Sequence, residues 1–592
     1  MRMTTTLHKN MAGVARMLLV ACLAGLLPSI AQAQQTTVTV DSIGKLAEVL
    51  PDSIRYTIRD LKVCGPLNGT DIKVIQQMTS RNRPKKAGEA VLTAIDLSEA
   101  VMSEGKGSIR TRANILPAAM FLNSKVLERI VLPAGLTEIG RSCFSGCANL
   151  KEVVVGDSLL VIGDYAFNGC ENLDGITLPP TLTTIENHAF DGCASLSSIS
   201  IPESVTTIDV YAFANCRLLG EVELNATVNR LNNATFLGCE ALQELQLPAG
   251  ITQIGNEVFK DCKSLRTIRM PEAVALIGNN AFEGCQMLEA FEAASVNRLG
   301  SEVFKDCISL QTVKMGGLSR TGSEVFYNCS TLSDVEIEGH LLTIDDETFF
   351  ACTSLQKVVL PPSVKTIGKR AFFDCKSLTG IELPSSLVRL SDHAFENCAS
   401  LRTLYVPNLT KHIGSDCFEN CTSLDSITIQ GFIERLESDV FRYCHSLRCV
   451  ELPVSVKSID DNAFQECTSL TNILLPVAIS KIGDNAFEKC VSLQVISIPP
   501  ACTSIGSSAF RDCTSLRQVE MPAALKKIGG NAFAKCVSLK EMDVMAAIPP
   551  SISSSTFKGV ITSACRVYIP RGARANYRKD KSWSKLTQMM ER

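Results

Sequence analysis

The sequence predicts a mainly β solenoid of about 20 turns with a 23-residue period. A parallel β-sheet runs along one face, short helical turns along another, and a cap closes each end. Three observations predict this. Phe-x-x-Cys recurs 18 times, from Phe144–Cys147 to Phe533–Cys536, at a spacing of 23 with two steps of 22. Every copy follows the same apolar spacing, Leu-x-x-Ile-x-Leu and then a second apolar pair. The chain is 45% hydrophobic and 20% charged, which suits a continuous buried core. A fixed period decides the fold before local propensity does, because each repeat stacks only on its neighbours.

The unit Ser492–Cys513 shows how one turn is built. Leu493-x-x-Ile496-x-Ile498 alternates and is β-branched, which predicts a short strand. Pro499 ends it, having no N–H to donate to a ladder. Cys502 and Ile505 mark a second extended piece on the far side. Gly506 turns the chain, and Ser507-Ser508-Ala509-Phe510 begins a single helical or 3₁₀ turn, where Ser, Asp or Asn can cap free amides. One turn alone buries too little to offset its ordering entropy. Stacking at about 4.8 Å per strand makes the array stable, as a curved rod on the order of 95 Å for 20 turns, counting degenerate ones at Phe121 and Phe557.

The ends follow in order. Residues 1–33 read as a signal peptide: Arg2, Lys9 and Arg16 precede or flank an apolar stretch at Met17–Leu27, and Ala31-Gln32-Ala33 offers a cleavage site. Leu19-Val20-Ala21-Cys22 also fits a lipoprotein cleavage box, so a lipid anchor at Cys22 is the alternative. The apolar run is shorter than the roughly 20 residues that span a bilayer, so no transmembrane helix is expected. Export is, to the cell surface, outer membrane, medium or periplasm. Residues 34–115 are the expected N-terminal capping region, with Asp71 capping a helix over Ile72–Met78 and a repeat-like strand at Leu92–Leu97. Residues 116–560 are the repeats. Residues 561–592 are the C-terminal cap, with a strand at Arg566–Ile569 and a basic, helix-like tail holding Trp583. Within the array, residues 285–349 lose the proline at Glu292–Ser295 and Lys314–Gly317 and contain both 22-residue steps. A curvature change that tunes a binding surface and simple drift in a tolerant loop both fit.

Charge and cysteine usage narrow the function. The net charge of −3 divides unevenly. The signal carries +3, residues 34–115 hold 12 basic and 9 acidic residues, and residues 561–592 hold 8 and 2. Residues 116–560 therefore carry 35 basic and 50 acidic residues, a net −15, the wrong sign for a nucleic-acid partner. Of 25 cysteines, 24 lie beyond the signal. An even set in an exported chain suggests disulfides. The repeat cysteines, however, occupy equivalent inward positions, so neighbouring side chains run parallel instead of facing one another. They read as buried free thiols, as do Cys143, Cys417 and Cys502. Cys449, at an outward strand position, is the candidate exposed thiol. The six histidines are scattered, and no HExxH, paired CxxC, GxSxG, P-loop or GxGxxG occurs. No catalysis, cofactor or metal is expected.

The pattern Ser-Leu-x-x-Ile-x-Leu-Pro-x-x-Val-x-x-Ile-Gly-x-x-Ala-Phe-x-x-Cys, spanning about 116–560, resembles the BspA-like class of bacterial leucine-rich repeats. The flanks Gly65–Ile72 and Val567–Gly572 are similar to that class too. The resemblance implies a leucine-rich-repeat solenoid, exported or on the cell surface, that binds host glycoproteins, matrix proteins or other bacteria. Residues flanking the central Ile of each strand point outward on the concave sheet and are the expected ligand-facing set. The acidic members of the first half are Glu221, Glu223 and Glu244, followed by Thr267, Arg269 and Glu292. Lys314, Asp334, Glu336, Lys357, Glu382 and Tyr405 continue the row. Few aromatics occur among them, which argues against a sugar-stacking platform. The expectation is a non-enzymatic protein that holds a protein or glycoprotein partner. The alternatives are a structural envelope or surface spacer with no single ligand, and an enzyme accessory subunit.

Overall fold

The computed structural model of the chain describes residues 35–79, 90–106 and 109–592. The expected signal segment and Cys22 lie outside these residues. Each turn adds a rung to a long parallel ladder, and most add a two-residue strand to a second, shorter one. In the unit read above, Val495–Ser497 pairs with Gln518–Glu520, and Ser504–Ile505 with Lys527–Ile528. The register step equals the repeat, so Ile496 faces Val519 and Ile505 faces Ile528. Like residues stack on like.

The long ladder has 24 rungs, four more than the Phe-bearing turns. Thr36–Thr39 and Asp60–Leu67 precede those turns, and Arg566–Ile569 and Gln588–Glu591 follow them, all parallel and in register. At about 4.8 Å per step the ladder runs roughly 110 Å. At the N-terminal end, a helix over Gly69–Thr79 buries Ile72, Ile75 and Met78. Asp71 is its third residue, too far in to be the cap. Asn68 caps instead, its Oδ1 accepting the Thr70 N–H at 2.9 Å, and Asp71 accepts the Asn68 N–H at 2.9 Å. The buried Asp71 carboxylate also accepts the N–H groups of Gly44 and Leu46 at 2.7 and 2.9 Å, fastening the preceding loop. At the other end Trp583 is fully buried. Its Nε1 donates to the Pro550 carbonyl at 2.8 Å, and its ring meets Phe557 and Tyr577 edge-on.

The core is a set of columns. Twenty Phe rings, Phe121 through Phe557, stack face to face at centroid distances of 5.0–5.9 Å. Beside them runs the cysteine column. Each repeat thiol donates to the carbonyl of the Phe one turn earlier, as Cys398 does to Phe372 at 3.2 Å. That carbonyl also accepts the Cys375 N–H at 3.3 Å, using its second lone pair. The cysteines are thus small core residues with a directional bond between turns. The Ala-Phe segment is a run of tight turns held by i→i+3 bonds such as Phe373 N–H to Arg370 O at 3.1 Å. Left-handed residues before and after it, Arg370 (φ 53°) and Asp374 (φ 63°) in that turn, keep it from propagating as a helix.

Two kinds of irregularity interrupt the repetition. Without the proline stop, the strands in 285–349 run on: Thr312–Leu318 pairs with Asp334–Gly339, with a register shift between Met315 and Leu318. In three other turns the rung forms no strand. These turns carry Gly175, Gly380 or Asn472 at the first outward position, where no other rung has Gly or Asn. Both residues disfavour extended backbone.

Candidate interaction surface

Because the strand period is two, each rung of the long ladder turns its central apolar residue inward and its two flanking side chains outward. Glu221, Glu223, Glu244, Arg269, Lys314, Lys357 and Tyr405 are exposed there, and Asp334 and Glu336 are half-buried. The last two are shielded by partners one turn away: Lys314 Nζ lies 3.3 Å from Glu336, and Lys357 Nζ 3.8 Å from Asp334. Pairs this exposed contribute about 0–1 kcal/mol and mainly cancel charge. Glu221, Glu223 and Glu244 behave differently. Among the described residues no cation pairs with them, and the strand of Glu221 and Glu223 is backed by Ser198 and Ser200 on its neighbour. This leaves an acidic patch with its charge unspent.

Cys449 is exposed on the same face, paired in register with Ser426. Of the other described cysteines, Cys64 is half-buried and the rest are buried and unpaired as disulfides. Burial pushes the repeat thiols well above their ordinary value, Cys147 and Cys536 to about 12, so none is a ready nucleophile. His445 turns its Nδ1 to the Glu466 carbonyl at 3.0 Å, while the Cys444 thiol donates to Phe418 O, so the two form no dyad. Among the described residues no three His, Cys, Asp or Glu side chains gather as a metal site.

The tight-turn face carries features that reading the strand positions missed. Tyr165, His188 and Tyr211 stack at 4.6 Å spacings, the His188 Nδ1 bonded to Asp191 at 2.9 Å. Tyr327, Phe350 and Phe373 form a second stack at 4.6 and 4.8 Å, with Lys305 over its first ring at 5.0 Å. Stacked rings cover one another's faces, so these columns brace the turns and offer little flat surface to a sugar. Further along, Glu396, Asp416, Glu419 and Asp439 crowd around His393 and Arg442. His393 Nδ1 meets Glu396 at 2.6 Å, and Arg442 lies 3.6 Å from Glu419 and 3.2 Å from Asp439. Burial, a hydrogen bond with Asp416 and the charge of Glu396 push Glu419 up to about 8.

A groove of about 1150 Å³ lies on the long-ladder face where the Gly380 rung leaves the ladder. It spans four turns, from Gln356 to Thr428. Gly380 contributes no side chain, and an added Cβ there would meet no heavy atom within 4 Å. Val359, Leu360, Ile381 and Leu383 make its apolar wall, and Lys357, Glu382 and Tyr405 stand on its rim. The groove thus gathers three of the outward positions read from sequence. The signal for it was the glycine, not the charges. A smaller polar hollow of about 400 Å³ lies by the short ladder, around Thr207, Asp209, Asn229 and Arg230.

Comparison with known proteins agrees with this architecture. The sequence profile of the BspA type leucine rich repeat region, six copies long, matches residues 114–243, 229–355, 319–448 and 434–562. A leucine-rich repeat protein of Bacteroides ovatus is 30% identical in its crystal structure, with a TM-score of 0.51, covering 57% of this chain and 86% of that one. A leucine rich cell surface protein of Faecalibacterium prausnitzii is 23% identical, with a TM-score of 0.31, covering 58% and 87%. A search of curated protein sequences finds no match. Among the described residues no helix is long and apolar enough to cross a membrane.

Proposed function

Since the chain belongs to the BspA-type leucine-rich repeat family, we propose that it is an exported, non-enzymatic recognition protein that holds a protein or glycoprotein partner on its long-ladder face. One observation carries this reading. The thiols of the repeat column are buried and bonded to carbonyls one turn earlier, while the outward rows expose unpaired charge at Glu221, Glu223 and Glu244 and, several turns further on, a broad groove. A face built to react would show the reverse. The extended, repetitive surface suits a macromolecule, which can touch many turns at once. Binding of the full chain to immobilised matrix proteins, mucins and bacterial cells tests it, with charge reversal at Glu221, Glu223 and Asp334 as the probe of the acidic rows. Retention of at least one such partner is the expected result. No retention in any arm refutes the reading, and unchanged binding after reversal refutes the acidic-row version. A second reading, an envelope spacer without a single ligand, draws on the ion pairs Lys314–Glu336 and Lys357–Asp334, which neutralise part of the face.

A further inference from the structure

The groove at Gly380 has a composition that selects among ligand classes. Its volume exceeds the roughly 300–1,000 Å³ of small-molecule pockets, and it lies open across four turns instead of closing around a ligand. Gly380–Leu383 form no backbone hydrogen bond with the rungs at Lys357–Val359 or Thr403–Val406, among the described residues. Their amides and carbonyls are therefore not committed to the ladder, and backbone groups seek partners. An extended peptide supplies donors and acceptors at the strand rise of about 3.3 Å, which matches such a segment.

The side chains add the specificity. Ile381 and Leu383 are inward residues, yet they are only partly buried here, whereas the same columns are closed at Leu404 and Val406. Tyr405 is 52% exposed, and its hydroxyl donates to Gln430 Oε1 at 2.7 Å, which fixes the ring as a wall. Lys357 is turned toward Asp334 at 3.8 Å, while Glu382 has no ion-pair partner among the described residues. The free charge in the groove is negative, in an array that is net −15 over residues 116–560.

We propose that this groove binds an extended polypeptide segment of the partner, one that sets a Lys or Arg against Glu382 and aliphatic side chains against Ile381, Leu383 and Tyr405. The peptide lies along the unpaired rung and takes up its free backbone groups. This rests on the recognition role proposed above and gives it a place and a ligand chemistry.

The test pans a phage-displayed library of random 12-residue peptides against the full chain, then measures the selected synthetic peptides by fluorescence anisotropy. Enrichment of sequences with a basic residue among aliphatic ones is expected. Gly380→Thr, which fills the floor, and Glu382→Lys, which reverses the charge on an exposed side chain, each weaken those peptides at least about tenfold, or about 1.4 kcal/mol. Glu382→Lys also shifts selection toward acidic peptides. Gly175→Thr, in the equivalent position of a distant turn, leaves affinity unchanged. Absence of enrichment, equal affinity for the Glu382→Lys protein, or displacement of the peptides by mucin glycans at the same site overturns the proposal. A matrix protein that binds the chain but ignores both groove variants overturns the groove and spares the recognition role. Peptide binding at the groove without any macromolecular partner does the opposite.

Discussion

Truncating one ring in the middle of the aromatic column separates core energy from surface bracing. Phe372 is fully buried, and its ring sits 5.0 Å from both Phe349 and Phe395. Phe372→Ala removes a buried aromatic side chain, which costs about 3–5 kcal/mol through lost transfer energy and the cavity left behind. It also removes two stacked pairs worth about 0.5–1.5 kcal/mol each beyond their area. The total is roughly 4–8 kcal/mol, concentrated in one turn. Phe350→Ala is the control: that ring stacks as closely, 4.6 and 4.8 Å from Tyr327 and Phe373, but stands half-buried on the tight-turn face. Partial burial leaves solvent to fill most of the space, so about 1–3 kcal/mol is expected. In a solenoid the energies add along the array, and a weak interface divides it. Guanidinium unfolding of Phe372→Ala, followed by circular dichroism and by Trp583 fluorescence, is expected to split. The C-terminal part, where Trp583 reports, should unfold at a different midpoint from the bulk signal. Phe350→Ala should keep the two probes coincident. Equal destabilisation by the two substitutions, or coincident probes in Phe372→Ala, would show that the inner column does not couple the turns.

Three further outcomes follow from the same packing. Among the thiols of residues 35–592, Cys449 should react rapidly with an aromatic disulfide reagent in native protein, Cys64 slowly because burial raises its thiol, and the rest only after unfolding; fast labelling of many repeat cysteines would remove the buried column. Gly380→Ala should stabilise its turn by about 0.4–1 kcal/mol, since the Cβ meets nothing and the unfolded chain loses freedom, and hydrogen exchange of the bonded amides of Leu378 and Leu387 is the readout; faster exchange there would contradict it. Glu419, held up to about 8, keeps a proton in the folded state that the unfolded chain releases near pH 4.3. Its contribution is full below the unfolded value and is lost as pH rises through about 8. Wild-type protein should therefore lose more thermal stability between pH 6 and 9 than Glu419→Gln, with Glu396, Asp416, His393 and Arg442 as the charges that face it, and parallel losses would exclude the group.

Repetition explains which parts were legible in the sequence. Eighteen copies of one pattern define inward and outward positions so redundantly that the strand register, the Phe column and the buried cysteines could be read directly. Cys449 was separable from its neighbours because it sits beside a central Val instead of in the thiol column. The terminal rungs were hidden for the converse reason. Thr36–Thr39 and Gln588–Glu591 carry neither Phe nor Cys, and only their pairing with an adjacent rung makes them part of the array. The two aromatic stacks on the tight-turn face were present in the sequence at the same 23-residue step, at Tyr165, His188, Tyr211 and at Tyr327, Phe350, Phe373. They escape a reading that follows the strand columns alone. Charge pairing across turns was unreadable, because whether Lys314 reaches Glu336 depends on side-chain direction, not on spacing.

A uniform array also changes what counts as a functional signal. Where 24 rungs share one geometry, an exposed charge is ordinary, and the acidic row alone singles out no partner. A residue that breaks the rule at one rung carries more information. Three glycine or asparagine residues at one column each coincide with a missing strand, and at the Gly380 rung the gap lies between Tyr405 and Val359, which line a broad groove. Tyr405 and Val359 occupy outward positions, where a solenoid otherwise tolerates most side chains. For that reason Glu382 and Tyr405, rather than the more numerous acids around Glu221, are where substitution should discriminate between a recognising face and a solvated one.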